Sequence, residues 1–284
     1  MKIKTKVWKD WKYLYKVIAA LLVFAVLIDT YTTNIVSIAN SGFDFDGIDW
    51  RIILDDSKTS YGNDYQGFTI RYLSFFTIQS NIMVLIWFFV SALKHSSDKK
   101  TWKKSIILSR EATISITIYI IITGVVYNSV ILPASLMSGK IFNAHAWFQQ
   151  MMLHLIIPLL MFLYVFLFND RTFVAKSFRN FAKKDMLYAM IYPIIYLIYS
   201  LLRGEMIFRA YNSNWDLAKP HRPYPYFFLE VHNPTPLKGL PISGPVLLIL
   251  TIPVIIGFII GLGALLNWKI SKDYDLAERI SNNK

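Results

Sequence analysis

Six runs of about 20 mostly apolar residues, each long enough at about 1.5 Å rise per residue for a helix to cross a hydrocarbon core of about 30 Å, dominate this 284-residue chain. They lie approximately at residues 17–38, 74–93, 111–132, 147–168, 186–202 and 245–268. Composition agrees: 55% of the residues are hydrophobic and 17% charged, where a soluble globular chain carries about 25% charged residues. The expected fold class is all-α, a polytopic membrane bundle of six transmembrane helices forming one integral membrane domain over residues 1–284. The first run is too long for a signal peptide and lacks a small-residue cleavage site, so it reads as a retained span. Cysteine is absent, which excludes disulfides, thiolate metal sites and a cysteine nucleophile.

The net charge of +12 would suggest nucleic acid in a soluble protein, but its distribution points elsewhere. Of the 30 Lys and Arg, 21 fall in the N-terminal tail, the loops after spans two and four, and the C-terminal tail. The alternate loops hold nine, offset by nine acids. By the positive-inside rule both termini are expected in the cytoplasm of a cell membrane, and no nucleic-acid partner is expected. The two long outer loops differ. Residues 39–73 are acidic, with Asp44, Asp46, Asp49, Asp55, Asp56 and Asp64, whereas 204–244 is rich in Tyr, Phe and Pro and suits the membrane interface. The string from Asp44 to Asp49 falls short of a calcium-loop spacing and has no terminal Glu.

With odd spans running outward and even spans inward, the intramembrane polar residues all fall in the outer half: Asp29, Thr77 and Asn81, Tyr127 and Asn128, Gln150 and His154, then Tyr196, Tyr199 and Arg203. Ionisable groups there are costly unless they face the bundle interior or a wet cavity, so they mark a candidate site. Helical spacing gathers them into stripes: Ser74, Thr77 and Asn81 in span two, Gln150 and His154 in span four, and Tyr188, Tyr192, Tyr196, Tyr199 and Arg203 in span five. At about 1.5 Å per residue, Thr77 and His154 sit about 5 and 10 Å below the outer boundary, so they are neighbours if spans two and four pack together.

Structural readings stand beside these. A membrane-helix Thr usually bonds its own i−4 carbonyl, Asp29 can pair with Arg203, Arg71 or a tyrosine, tyrosine stripes often pack, and Arg203 can snorkel. Span six carries a weak Gly257-x-x-x-Gly261 signal for close helix approach. Internal prolines occur only in spans four, five and six (Pro158, Pro193, Pro253), which argues against two inverted transporter halves. The nucleotide-binding, nucleophile-elbow and zincin motifs are all absent.

Several strings together resemble a known family: Phe75-Phe76-Thr77-Ile78-Gln79-Ser80-Asn81, Leu153-His154-Leu155-Ile156-Ile157-Pro158, Tyr192-Pro193-Ile194-Ile195-Tyr196, Arg203-Gly204, and Tyr224-Pro225-Tyr226-Phe227-Phe228. The chain resembles the bacterial six-span integral membrane family allied to the eukaryotic androgen-induced and androgen-dependent membrane proteins, over about residues 72–232. Those relatives are hydrolases of fatty acid esters of hydroxy fatty acids that use an intramembrane Thr and His. The resemblance implies Thr77 as nucleophile and His154 as base. It further implies membrane lipids and a fatty-acyl ester as partners, and no cofactor.

For such chemistry His154 takes the Thr77 proton and returns it to the leaving alcohol. Asn81 or Gln150 can donate to the oxyanion, a service worth about 2.7–4 kcal/mol. Asp29 is the best available carboxylate to orient His154, while Tyr196, Tyr199 and Arg203 complete the supporting set. A non-catalytic lipid or small-molecule binding protein, receptor-like or transport-related, is the alternative. A metal site is disfavoured, because His154 has no second intramembrane His: His95, His145, His221 and His232 lie in predicted loops.

Overall fold

The computed structural model describes residues 7–55, 57, 60–95, 105–168, 173, 175–237 and 240–282. Lys2, Lys4, Lys6, Asp56, Lys58, Asp98 to Lys100, Lys103, Lys104, Asp170, Arg171, Lys238 and Lys284, all used in the charge count, lie outside these residues. The chain is 75% helical with almost no sheet. Helices α1 (Trp11–Ser41), α2 (Tyr65–Leu73), α3 (Phe76–Leu93), α4 (Arg110–Met137), α5 (Ala144–Leu167), α6 (Phe178–Ala210) and α7 (Gly244–Asn282) follow in order. All but α2 are long and apolar enough to cross a membrane, which makes the chain a multi-pass membrane protein. Between α1 and α2 a small hairpin pairs β1 (Arg51–Ile53) with β2 (Tyr61–Asn63), Arg51 opposite Asn63 and Ile53 opposite Tyr61.

Side-chain caps set the starts of several helices. Asp64, Ser109, Asn143 and Ser177 accept from N–H groups in the first turns of α2, α4, α5 and α6. Asp10 plays this part for α1, taking the Lys12 N–H at 2.9 Å on its carboxylate and the Leu14 N–H at 3.1 Å on its carbonyl. Helices α1, α4, α6 and α7 exceed the predicted spans, α7 by 14 residues at its C-terminal end. In α1, α6 and α7 hydropathy ends where charge begins and helical hydrogen bonding does not. α1 starts six residues earlier than predicted, at Trp11, and includes Lys12 and Lys16; α6 runs from Phe178, through Lys183, Lys184 and Asp185, to Ala210. Three helices contain a single π turn, at Tyr127–Ile131, Met152–Ile156 and Ala182–Met186.

The chain packs as two compact units: Met1–Ala25, Ser80–Ile194 and Pro253–Lys284 in the first, Val26–Gln79 and Ile195–Ile252 in the second. The first has its core where α3, α4 and α5 supply Val84, Trp87, Phe88, Ile114, Ile118, Ile157 and Met161, all at most 2% exposed. Polar pairs fix the register of its helices: Ser80 to Thr123 at 2.8 Å, the Trp87 indole to Thr113 at 3.0 Å, and the Tyr119 hydroxyl to the Ala189 carbonyl at 2.9 Å.

Charge is also buried in this unit. The π turn of α6 directs Asp185, fully buried, onto Arg110, also buried, with Lys176 Nζ at 2.7 Å on its other oxygen. Arg110 also donates to Asn267 of α7 at 2.6 Å. His95, expected in a loop, accepts from the fully buried Lys16 ammonium at 3.3 Å and donates to Asp10 at 2.8 Å. The second unit is aromatic, with Tyr31, Trp50, Phe68 and Tyr72 in mutual ring contact and Tyr72 bonded to Thr30 at 2.7 Å.

Candidate functional site

Phe75 precedes the first residue of α3, so the helix opens without the Ser, Thr, Asp or Asn that normally satisfies its first N–H groups. Two distant phenols take over this work in the second unit. The Phe76 N–H donates to Tyr196 Oη at 3.2 Å, and the Thr77 N–H to Tyr226 Oη at 3.2 Å. The Tyr196 hydroxyl in turn donates to the Ser74 carbonyl at 3.0 Å. Tyr226 Oη also lies 3.3 Å from Thr77 Oγ1, and Thr77 is only 9% exposed. The rings of Phe75 and Phe76 meet Tyr226 and Tyr196 edge to face, and Phe228 stacks on Tyr226. Burial raises the Tyr226 pKa and outweighs the opposing hydrogen bonds, so the phenol stays protonated. Tyr226→Phe, which deletes the shared oxygen and strands the Thr77 N–H, should lower stability by about 1–3 kcal/mol, measured as a shift in thermal midpoint. An unchanged midpoint would remove Tyr226 from the capping role.

His154 belongs to the first unit and sits in the π turn of α5, 6% exposed. Its Nδ1 lies 3.1 Å from the Gln150 carbonyl, which can only accept, so Nδ1 carries the proton and Nε2 is the basic nitrogen. The ring stacks on Tyr127, the residue that opens the π turn of α4, with centroids 3.6 Å apart and planes at 19°. A π turn displaces the helical ladder and weakens the hold on local carbonyls. Side-chain amides meet them here: Asn128 Nδ2 donates to the His154 carbonyl at 2.9 Å and Asn81 Nδ2 to that of Leu153 at 3.4 Å. Gly124 makes the approach possible, since a Cβ there would lie 2.8 Å from the His154 carbonyl oxygen.

The other predicted site residues divide between the units. Asn81 is fully buried and supports the His154 turn. Gln150, expected to offer its side-chain amide, acts on His154 through its main chain, and Gln149 is the buried member of that pair. Asp29 is half-buried in the second unit, where its carbonyl accepts the Thr33 hydroxyl at 2.5 Å. The tyrosine stripe does not line one surface: Tyr196 is 8% exposed, but Tyr188 and Tyr199 are 41% and 39% exposed. At about 100° per residue the stripe covers an arc of about 80°, with Tyr188 and Tyr199 at one edge and Tyr196 at the other. Arg203 donates to the Pro223 carbonyl at 2.7 Å.

Sequence reasoning left out Tyr226, placed only among interfacial aromatics. The available signal was a helix opening Phe-Phe-Thr with no local cap. In the acidic loop between α1 and α2 Asp44 organises the chain: it accepts the N–H groups of Asp46 and Ile48 and the Trp50 indole. Among the described residues no group of three His, Asp or Glu is placed to hold a metal. No protein-family model, curated protein sequence or solved structure matches the chain.

Proposed function

We propose that this multi-pass protein sits in the cell membrane with both termini cytoplasmic and hydrolyses a lipid ester, with Thr77 as nucleophile and His154 as general base. The observation that carries the reading is the state of His154: buried, stacked, and fixed by the Gln150 carbonyl in the tautomer whose Nε2 takes a proton. In the proposed reaction Nε2 removes the Thr77 hydroxyl proton as Oγ1 attacks the acyl carbonyl. The tetrahedral intermediate collapses as the imidazolium protonates the departing alcohol. A water, deprotonated by the same nitrogen, then cleaves the acyl-threonine. The resemblance to the androgen-induced membrane hydrolases supports the choice of a fatty-acyl ester, and the charge asymmetry of the loops supports the orientation.

The capping of Thr77 favours a second reading, a non-catalytic lipid-binding protein, because its N–H and hydroxyl both meet one phenol as a structural residue would. A fluorophosphonate probe separates the two. Detergent-solubilised wild-type protein should label covalently, and Thr77→Ala and His154→Ala, folded by circular dichroism, should lose labelling. A folded wild type that does not label would leave the binding reading in place.

A further inference from the structure

Arg71 in the second unit is a buried cation with unusual partners. Its residue is 6% exposed, its Nε has no hydrogen-bond partner, and its carboxylate neighbours Asp44 and Asp46 stand at 3.6 Å, beyond good hydrogen-bonding distance. Asp44 is already engaged by two backbone N–H groups and an indole. A buried guanidinium left with spare donors needs an account, and an anion from outside the chain supplies one.

Two more arginines approach the same segment. The Arg71 guanidinium lies over the Phe75 ring, which meets Tyr226 edge to face. Arg203 of α6 reaches that segment by donating to Pro223, while Tyr224 packs directly on Gly204. Arg222, next to Pro223, holds a left-handed backbone with φ of 46°, a conformation that favours glycine. A side chain kept at such a position points to a use for the side chain. Burial lowers the Arg71 pKa, Asp46 and Asp44 pull it back up, and the Arg222 charge is near enough to act in the same direction as burial. Arg222 feels the Glu230 carboxylate only at a distance beyond that of an ion pair, and the hydrogen bond given for Arg203 goes to a main-chain carbonyl.

We propose that Arg71, Arg203 and Arg222 form a binding site for a phosphate group. Three guanidinium groups brought from α2, α6 and the following loop suit the several oxygens of a tetrahedral phosphate, whereas one arginine fork already matches a carboxylate. A lipid headgroup is the natural carrier, because Arg203 stands near the end of a membrane-length helix; free phosphate offers the same chemistry. The site is independent of whether Thr77 is a nucleophile.

Thermal unfolding of the purified full chain in detergent, with dioleoyl phosphatidate, inorganic phosphate or oleate added, tests the site. Phosphatidate at about ten times its Kd should raise Tm by about 3–6 °C. A comparable rise with inorganic phosphate alone would support the site and name the free ion as its occupant. Arg203→Gln should abolish the shift. Arg222→Gly should also abolish it while leaving the ligand-free Tm equal or higher, since glycine relieves the backbone. A purely structural role for Arg222 would instead lower that Tm. The proposal is overturned if no phosphate compound shifts Tm, if the shift survives in both variants, or if oleate matches phosphatidate.

Discussion

Asp185→Ala is expected to cost about 3–5 kcal/mol of stability, because it leaves the Arg110 guanidinium buried without its counter-charge. Lys176 loses the same partner and keeps Glu111 at 3.2 Å. The effect should appear as an early, broadened thermal transition in detergent. Burying two charges is expensive even when they are paired, so Arg110→Met combined with Asp185→Leu should recover most of the loss. A single variant as stable as wild type would mean that water already reaches Arg110 and that the pair adds nothing.

The second large effect is expected at Gly124. Its α-carbon faces the α5 backbone so closely that an alanine Cβ would lie 2.8 Å from the His154 carbonyl oxygen and 3.3 Å from Pro158 Cβ. Neither is the flexible end of a side chain, so the helices must separate, at a cost of about 1–3 kcal/mol. The Asn128 bond to the same carbonyl and the Tyr127 stack should loosen together. On the proposed function, displacing His154 by a fraction of a helix radius lowers the probe-labelling rate by about 100-fold. Gly257 is the control: nothing lies within 4 Å of an added Cβ, and alanine there should be neutral or stabilise the helix by up to about 1 kcal/mol. Equal behaviour of the two variants would refute the close contact at Gly124.

The six spans were readable because hydrocarbon thickness imposes a length and an apolar composition that survive in one dimension. The ends of α1 and α6 were not, since Lys12, Lys16, Lys183 and Asp185 are helical but polar, and two of them are held by partners remote in sequence, Lys16 by His95 and Asp185 by Arg110. Polarity within an apolar run sufficed to single out Thr77, Asn81, Asn128 and His154. The local arrangement of Asn128 and His154 depends on π turns, which insert a residue without disturbing hydropathy and so leave no periodic trace. Tyr226 reaches Thr77 across 149 residues, and no local pattern encodes such a bond. The tyrosine stripe shows the converse limit: residues stepping by three and four share a face only to within an arc wide enough to straddle the edge between buried and exposed.

The most direct measurement is peptide mapping of the fluorophosphonate adduct by mass spectrometry on wild-type protein. With Thr77 as nucleophile and His154 as base, one adduct is expected, on Thr77, and it is absent from the His154→Ala protein. An adduct on another residue, or none on folded protein, would contradict the assignment of Thr77 as the nucleophile.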